Sequence, residues 1–200
     1  MTSELLSSYI PLKLGGDREE KFITSGVAWQ AYESLLTSLG NSSSYRIAYL
    51  CETLEIMSPS RNHELDKKAI ARLLEAYLES KRIHFWGLGS TTLKSQDRQA
   101  GKEPDECYCI GTNKEIPDLA IEVVYTSGGV NTLEIYQRLG VSEVWIWQNE
   151  QFIVYCLKND GYQKQSSSQL FPELDLNLLT QHVVISDPLD AITQWREAIS

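Results

Sequence analysis

The sequence predicts an α/β fold built on a mixed sheet. Three observations predict it. Helical and strand patterns alternate along the chain in the order helix, strands, central helix, strands, helix, strands. A long amphipathic stripe runs from Arg61 to Lys81, with Leu65, Ala69, Leu73, Leu74, Tyr77 and Leu78 at helical spacing. A strongly apolar run, Leu119 to Tyr125, broken only by Glu122, has the length and composition of a buried strand.

The elements follow in order. Residues 1–24 have no sustained period and contain Gly15-Gly16, so they read as an irregular, flexible N-terminal arm. Val27, Trp29, Tyr32, Leu35, Leu36 and Leu39 mark a helix over Ser25–Leu39, stopped by Gly40-Asn41 and a serine run. Tyr45–Cys51 and Thr53–Met57 read as strands, and Ser60 as the N-cap of the long helix. His84–Gly87 continuing towards Ser90–Lys94, then Asp105–Ile110 and Leu119–Tyr125, read as strands, the last two joined by a turn at Gly111–Lys114. A short helix, Leu133–Leu139, is closed by Gly140. Val144–Gln148 and Phe152–Leu157 form a hairpin turning at Asn149-Glu150. A polar loop (Gln163–Gln169), a stretch of low regularity and a helix opened by Asp187-Pro188 complete the chain. No repeat or linker divides it, so residues 25–200 are expected to form a single domain with its core at about 45–157.

With 200 residues, 42% of them apolar, the chain has enough material for a well-buried core. No run approaches the roughly 18 apolar residues of a membrane span, and the N-terminus lacks a secretory pattern, so a cytoplasmic protein without membrane partners is expected. The four cysteines lack metal-site spacing and read as free, mostly buried thiols. A net charge of −9 argues against gripping nucleic acid with the whole surface. It leaves room for an acidic metal centre with a local basic patch. Arg61, Lys67, Lys68, Arg72, Lys81 and Arg82 read either as such a patch or as a solvated helix face.

Two carboxylates carry the chemistry. Asp105 follows Pro104 on one strand, and Glu122 lies in the next, with sixteen residues between them. A hairpin of that size sets them side by side, where hard oxygen ligands suit Mg2+ or Mn2+. Such an ion beside a phosphodiester activates water and steadies the leaving oxygen. Asp105 also suits a turn cap. Glu122 among buried-type positions needs a metal, a base or a polar cavity, since an unpartnered buried carboxylate is costly. Glu64, in the first turn of the long helix, is a third acid that also suits the helix dipole. His63 beside it reads as a surface residue. Asp118 lies four residues before Glu122, about 13 Å away along a strand, too far to share an ion with it. Trp145 and Trp147 read as core for one ring and as a cleft or dimer surface for the other.

The segments MSPSRNHELDKKAIARLLEAYLE, EPDECYCI, PDLAIEVVYTSGG and LEIYQRLGVSEVWIWQ resemble the Uma-two family of restriction-endonuclease-like proteins, within the PD-(D/E)XK superfamily. The resemblance covers about Val27 to Leu157. It implies a central mixed β-sheet flanked by helices and a metal-dependent endonuclease that hydrolyses phosphodiester bonds in DNA. It implies Asp105 and Glu122 as metal ligands and Glu64 as the acid of the first core helix. A homodimer is expected because folds of this class often pair. The lysine of the half-motif is absent, however: Glu122-Val123-Val124 carries valine there. The alternative site at the start of the next helix holds Asn131-Thr132. Lys94, Lys102 and Lys114 are the candidates to replace it. Without a replacement, the chain reads instead as a weakened nuclease or a non-catalytic binding or assembly module.

Overall fold

A computed structural model describes residues 19–40 and 44–200. Two sheets organise them. The first has strand order β1-β3-β2-β6-β5 and is antiparallel throughout: β1 (Glu20–Thr24), β2 (Arg46–Leu50), β3 (Thr53–Ser58), β5 (Leu93–Ser95) and β6 (Ala100–Lys102). The second has the order β11-β10-β9-β8-β7-β4, from β4 (Phe85–Gly87), β7 (Glu106–Ile110), β8 (Leu119–Val123), β9 (Glu143–Gln148), β10 (Gln151–Lys158) and β11 (Gly161–Gln165). In this sheet β8 and β9 run parallel and the other pairs antiparallel. A parallel pair needs a crossover, and helix Thr132–Leu139 provides it.

The helices are α1 (Trp29–Leu39), α2 (Arg61–Ser80), α3 (Thr132–Leu139), α4 (Leu176–Val183) and α5 (Pro188–Ala198). The alternation of side chains along β8 decides what packs where. Leu119, Ile121 and Val123 face a core shared with Leu73, Leu74 and Tyr77 of α2 and with Leu179 and Trp195 of α4 and α5. Ala120, on the opposite face, joins Ile135, Tyr136 and Leu139 of α3 and Ala48, Leu93 and Ala100 of the first sheet. Glu122 shares that second face by period, so the sequence directs its carboxylate between the two sheets. A third cluster, Trp29, Tyr32 and Leu35 with Ile47, Tyr49 and Leu54, fastens α1 to the first sheet.

Several expectations need correction. Residues 20–24 belong to β1, paired along β3, so the irregular arm does not extend to residue 24; its residues 1–18 lie outside the described residues. The expected strand from His84 to Lys94 is two strands in different sheets, parted by a bend in which Gly89 takes φ +57°. The first, all-antiparallel sheet was not expected as a separate unit. The polar loop contributes β11, and the irregular stretch contains α4, capped by Asp175 through the Asn177 and Leu178 amides. Trp145 and Trp147 are both buried, which removes either as an open surface for pairing.

Candidate active site

Four elements converge where the two sheets meet. The antiparallel register of β7 and β8 pairs Glu106 with Ile121, so the next step along the ladder sets Asp105 beside Glu122. The Val123 amide donates to Asp105 Oδ2 at 2.8 Å and locks that step. Lys102 ends β6 in the other sheet, where β2 fixes its position through the pairing Ala48 with Lys102. Its Nζ lies 3.3 Å from Glu122 Oε2. From α3, the Tyr136 hydroxyl donates a short hydrogen bond to Glu122 Oε1. Each carboxylate oxygen of Glu122 thus has a partner, one cationic and one neutral.

Asp105 is surrounded from another side. Ser60 caps α2 and accepts from the His63 amide at 3.2 Å, which fixes the first turn of the helix. That turn delivers His63 Nε2 to 3.2 Å from Asp105 Oδ2. Arg46 Nε, from β2, lies 3.9 Å from Asp105 Oδ1, and Arg46 Nη2 lies 3.2 Å from Glu64 Oε1. Lys67, one turn after Glu64, reaches its Oε2 at 2.5 Å.

Burial makes these charges matter. Asp105 is 1% exposed, Glu122 6% and Lys102 7%. For Glu122, burial raises the pKa and the charge of Asp105 adds to it. Lys102 and the Tyr136 hydrogen bond only partly offset this, and the value is pushed up to about 7. Burial also acts to raise the pKa of Asp105, but His63, the Val123 amide and Lys102 outweigh it and hold the group below the usual carboxylate range. Burial would lower the Lys102 ammonium, yet Glu122, Asp105 and Glu55 keep it above its ordinary value. Neighbouring carboxyl groups driven in opposite directions can differ in protonation at one pH, which suits proton handling beside a fixed anion.

The donor set fits an oxygen-seeking ion that keeps most of its water. Asp105 and Glu122 face each other closely enough for one charge to raise the other's pKa, a repulsion that a divalent cation would relieve. Among the described residues, no three His, Cys, Asp or Glu side chains converge as a metal cage. Mg2+ binds through one or two carboxylates with water completing its shell, so the pair suffices chemically.

Of the expected residues, Asp105, Glu122 and Lys102 come together. Glu64 stands at one remove, half-exposed and engaged with Arg46 and Lys67. Lys94 does not reach the site. Strand alternation turns it away from its buried neighbour Leu93, and its Nζ binds Glu33 at 2.9 Å. Lys114 is taken up by Asp118 at 2.6 Å within the hairpin turn. Of the basic residues on α2, Lys67 is buried against Glu64 and does not belong to an open patch, whereas Lys68 is exposed and binds Glu106 at 3.1 Å. His63, expected at the surface, is wholly buried. Nothing in the sequence marks Arg46 as a site residue, and the same holds for Tyr136. Only its need for a buried acceptor was legible in principle, because a tyrosine on the apolar stripe of a short helix requires one.

The family model described as "Uma2: Putative restriction endonuclease" matches residues 29–186. No curated protein matches the chain.

Proposed function

Because the chain belongs to the Uma2 family, whose fold is restriction-endonuclease-like, we propose that it is a metal-dependent endonuclease acting on DNA, with Asp105, Glu122 and Lys102 as its catalytic residues. The observation that carries this reading is the approach of Lys102 Nζ to 3.3 Å from Glu122 Oε2, beside Asp105. It supplies the ammonium that Val124 and Thr132 cannot.

Asp105 and Glu122 would hold Mg2+ or Mn2+, which when bound supplies Lewis-acid polarisation of a phosphate and a more acidic water. The protein's own groups do the rest. Lys102, fixed by β6 and kept protonated by three carboxylates, offsets negative charge that grows on a phosphate during attack. Glu122 Oε2 is the ion-pair partner of that ammonium at 3.3 Å, so the carboxylate that would hold the cation also places the ammonium beside it. Tyr136 holds Glu122 from the opposite oxygen, limiting its rotation. Glu64 keeps Arg46 and Lys67 engaged at the edge of the site, a supporting task without contact to the reacting atoms.

The second reading, a non-catalytic binding or assembly module, is favoured by the net charge of −9 and by the internal pairing of the buried acids. Cleavage of supercoiled plasmid and of single-stranded DNA with Mn2+ separates the two. The endonuclease reading expects nicking by the wild type and a loss of at least about 100-fold in Glu122→Ala, the scale of removing a core electrostatic group. Absence of nicking by the wild type, or equal nicking by Glu122→Ala, favours the module.

A further inference from the structure

Glu64 joins an uneven set of charges. In the ion pairs Lys94–Glu33 and Arg138–Glu134 both partners meet water, as surface pairs do. Glu64 pairs instead with two buried cations: the side chains of Arg46 and Lys67 are 7% and 6% exposed, and its own is 38% exposed. Arg46 Nη2 lies 3.2 Å from Glu64 Oε1, and Lys67 Nζ lies 2.5 Å from Glu64 Oε2, so a different cation holds each oxygen.

The asymmetry decides what can move. A buried cation is costly without an anion against it, so Arg46 and Lys67 must always face one. Glu64 is under no such constraint, since its carboxylate can turn into water on a flexible side chain from the first turn of α2. Whatever takes its place has to be an anion with two oxygens for two donors. A backbone phosphate fits, because it matches a guanidinium as a carboxylate does and accepts an ammonium on a second oxygen. Arg46 also fixes where that anion would lie. Its Nε faces Asp105 Oδ1 at 3.9 Å while its Nη2 faces Glu64, so the place adjoins the proposed metal pair across one guanidinium.

We propose that Arg46 and Lys67 form a phosphate subsite, whose place the Glu64 carboxylate holds, for a DNA backbone phosphate next to the one being cut. The proposal rests on the reading of the site as one that acts on DNA, and it deepens that reading by naming the residues that grip the strand. It also answers the net charge of −9. Cations covered by one exposed acid exert little long-range pull, yet they supply a local grip once a phosphate arrives.

The test uses the full chain in EDTA, where metal-dependent cutting is blocked, and a fluorescein-labelled DNA duplex, with binding read by anisotropy across a series of salt concentrations. Glu64→Gln removes the competing charge and keeps the shape, and Lys67→Met removes one donor. Glu33→Gln removes the same charge from the exposed pair with Lys94 and serves as the control. The expected result is binding at least about threefold tighter in Glu64→Gln, and weaker binding in Lys67→Met with a salt slope lower by about 1. In the double variant the gain from Glu64→Gln shrinks, because one of the uncovered donors is gone. Glu64→Gln that binds no tighter than wild type, or Glu33→Gln that tightens binding as much, overturns the subsite, as does Lys67→Met with the wild-type slope. Should Lys67→Met not fold, the comparison of Glu64→Gln with Glu33→Gln decides alone. The expected pattern in a chain that nicks no plasmid with Mn2+ supports the subsite while the endonuclease reading fails. Nicking by the wild type without that pattern overturns the subsite and leaves the endonuclease reading standing. A chain that binds no DNA in any of these forms overturns the subsite together with the reading beneath it.

Discussion

Glu122 is 6% exposed and held from both sides, by the Lys102 ammonium and the Tyr136 hydroxyl. Tyr136 itself is fully buried, and Glu122 is the acceptor of its hydroxyl. Tyr136→Phe keeps the ring and removes the donor. Leaving a buried carboxylate oxygen without that bond should cost about 1–3 kcal/mol, measured as a lower urea midpoint with an unchanged slope. An unchanged midpoint would mean that water replaces the hydroxyl at Glu122. At this scale the sequence was partly legible. Glu122 betrayed itself by lying among apolar neighbours in β8, and Asp105 by its distance from Glu122 across a hairpin. Lys102 carried no such signal, because its role comes from an antiparallel pairing of β6 with β2, more than fifty residues away in the chain. His63 was misread because sequence shows a polar residue at a helix start and not the carboxylates that surround it.

At the scale of elements, the position of Lys102 depends on β6, which is only Ala100-Gly101-Lys102. That sequence has no β-branched residue and no alternation, so nothing local announces a strand. It forms one because β2 and β5 pair with it on both sides and because glycine admits the ring of Tyr32. A Cβ on Gly101 would lie 2.2 Å from Tyr32 Oη. Gly101→Ala should therefore push α1 away from the first sheet or shift β6, at a cost of about 1–3 kcal/mol in thermal or urea unfolding. Nearby Ala100, also buried, already carries a Cβ and needs no such allowance. A fully tolerated Gly101→Ala would show that the Tyr32 ring moves freely. By contrast, α2 was legible from end to end, with a cap at Ser60 and a stripe that meets β8. The hairpin β9–β10 was legible too. Its turn residues Asn149 and Glu150 take φ +51° and +56°, the left-handed pair that a two-residue hairpin turn requires.

At the scale of the whole molecule, the mixed sheet and its helices were foreseeable from the order of elements, whereas the division into two sheets was not. That division depends on Phe85–Gly87 and Leu93–Ser95 leaving in different directions, a tertiary choice made by β7 and β6 rather than by local propensity. It is also what builds the site, since Glu122 comes from one sheet and Lys102 from the other. The net charge of −9 disfavours long-range capture of DNA, so on the proposed reading the grip on phosphate falls to the site itself. On this reading Lys102 replaces the lysine missing from the half-motif. Single-turnover cleavage of DNA at saturating Mn2+, by wild type and by Lys102→Gln, tests this most directly. The expected result is cleavage by the wild type and a rate at least about 100-fold lower in Lys102→Gln, with Mn2+ affinity within threefold. Cleavage by Lys102→Gln at the wild-type rate would contradict it.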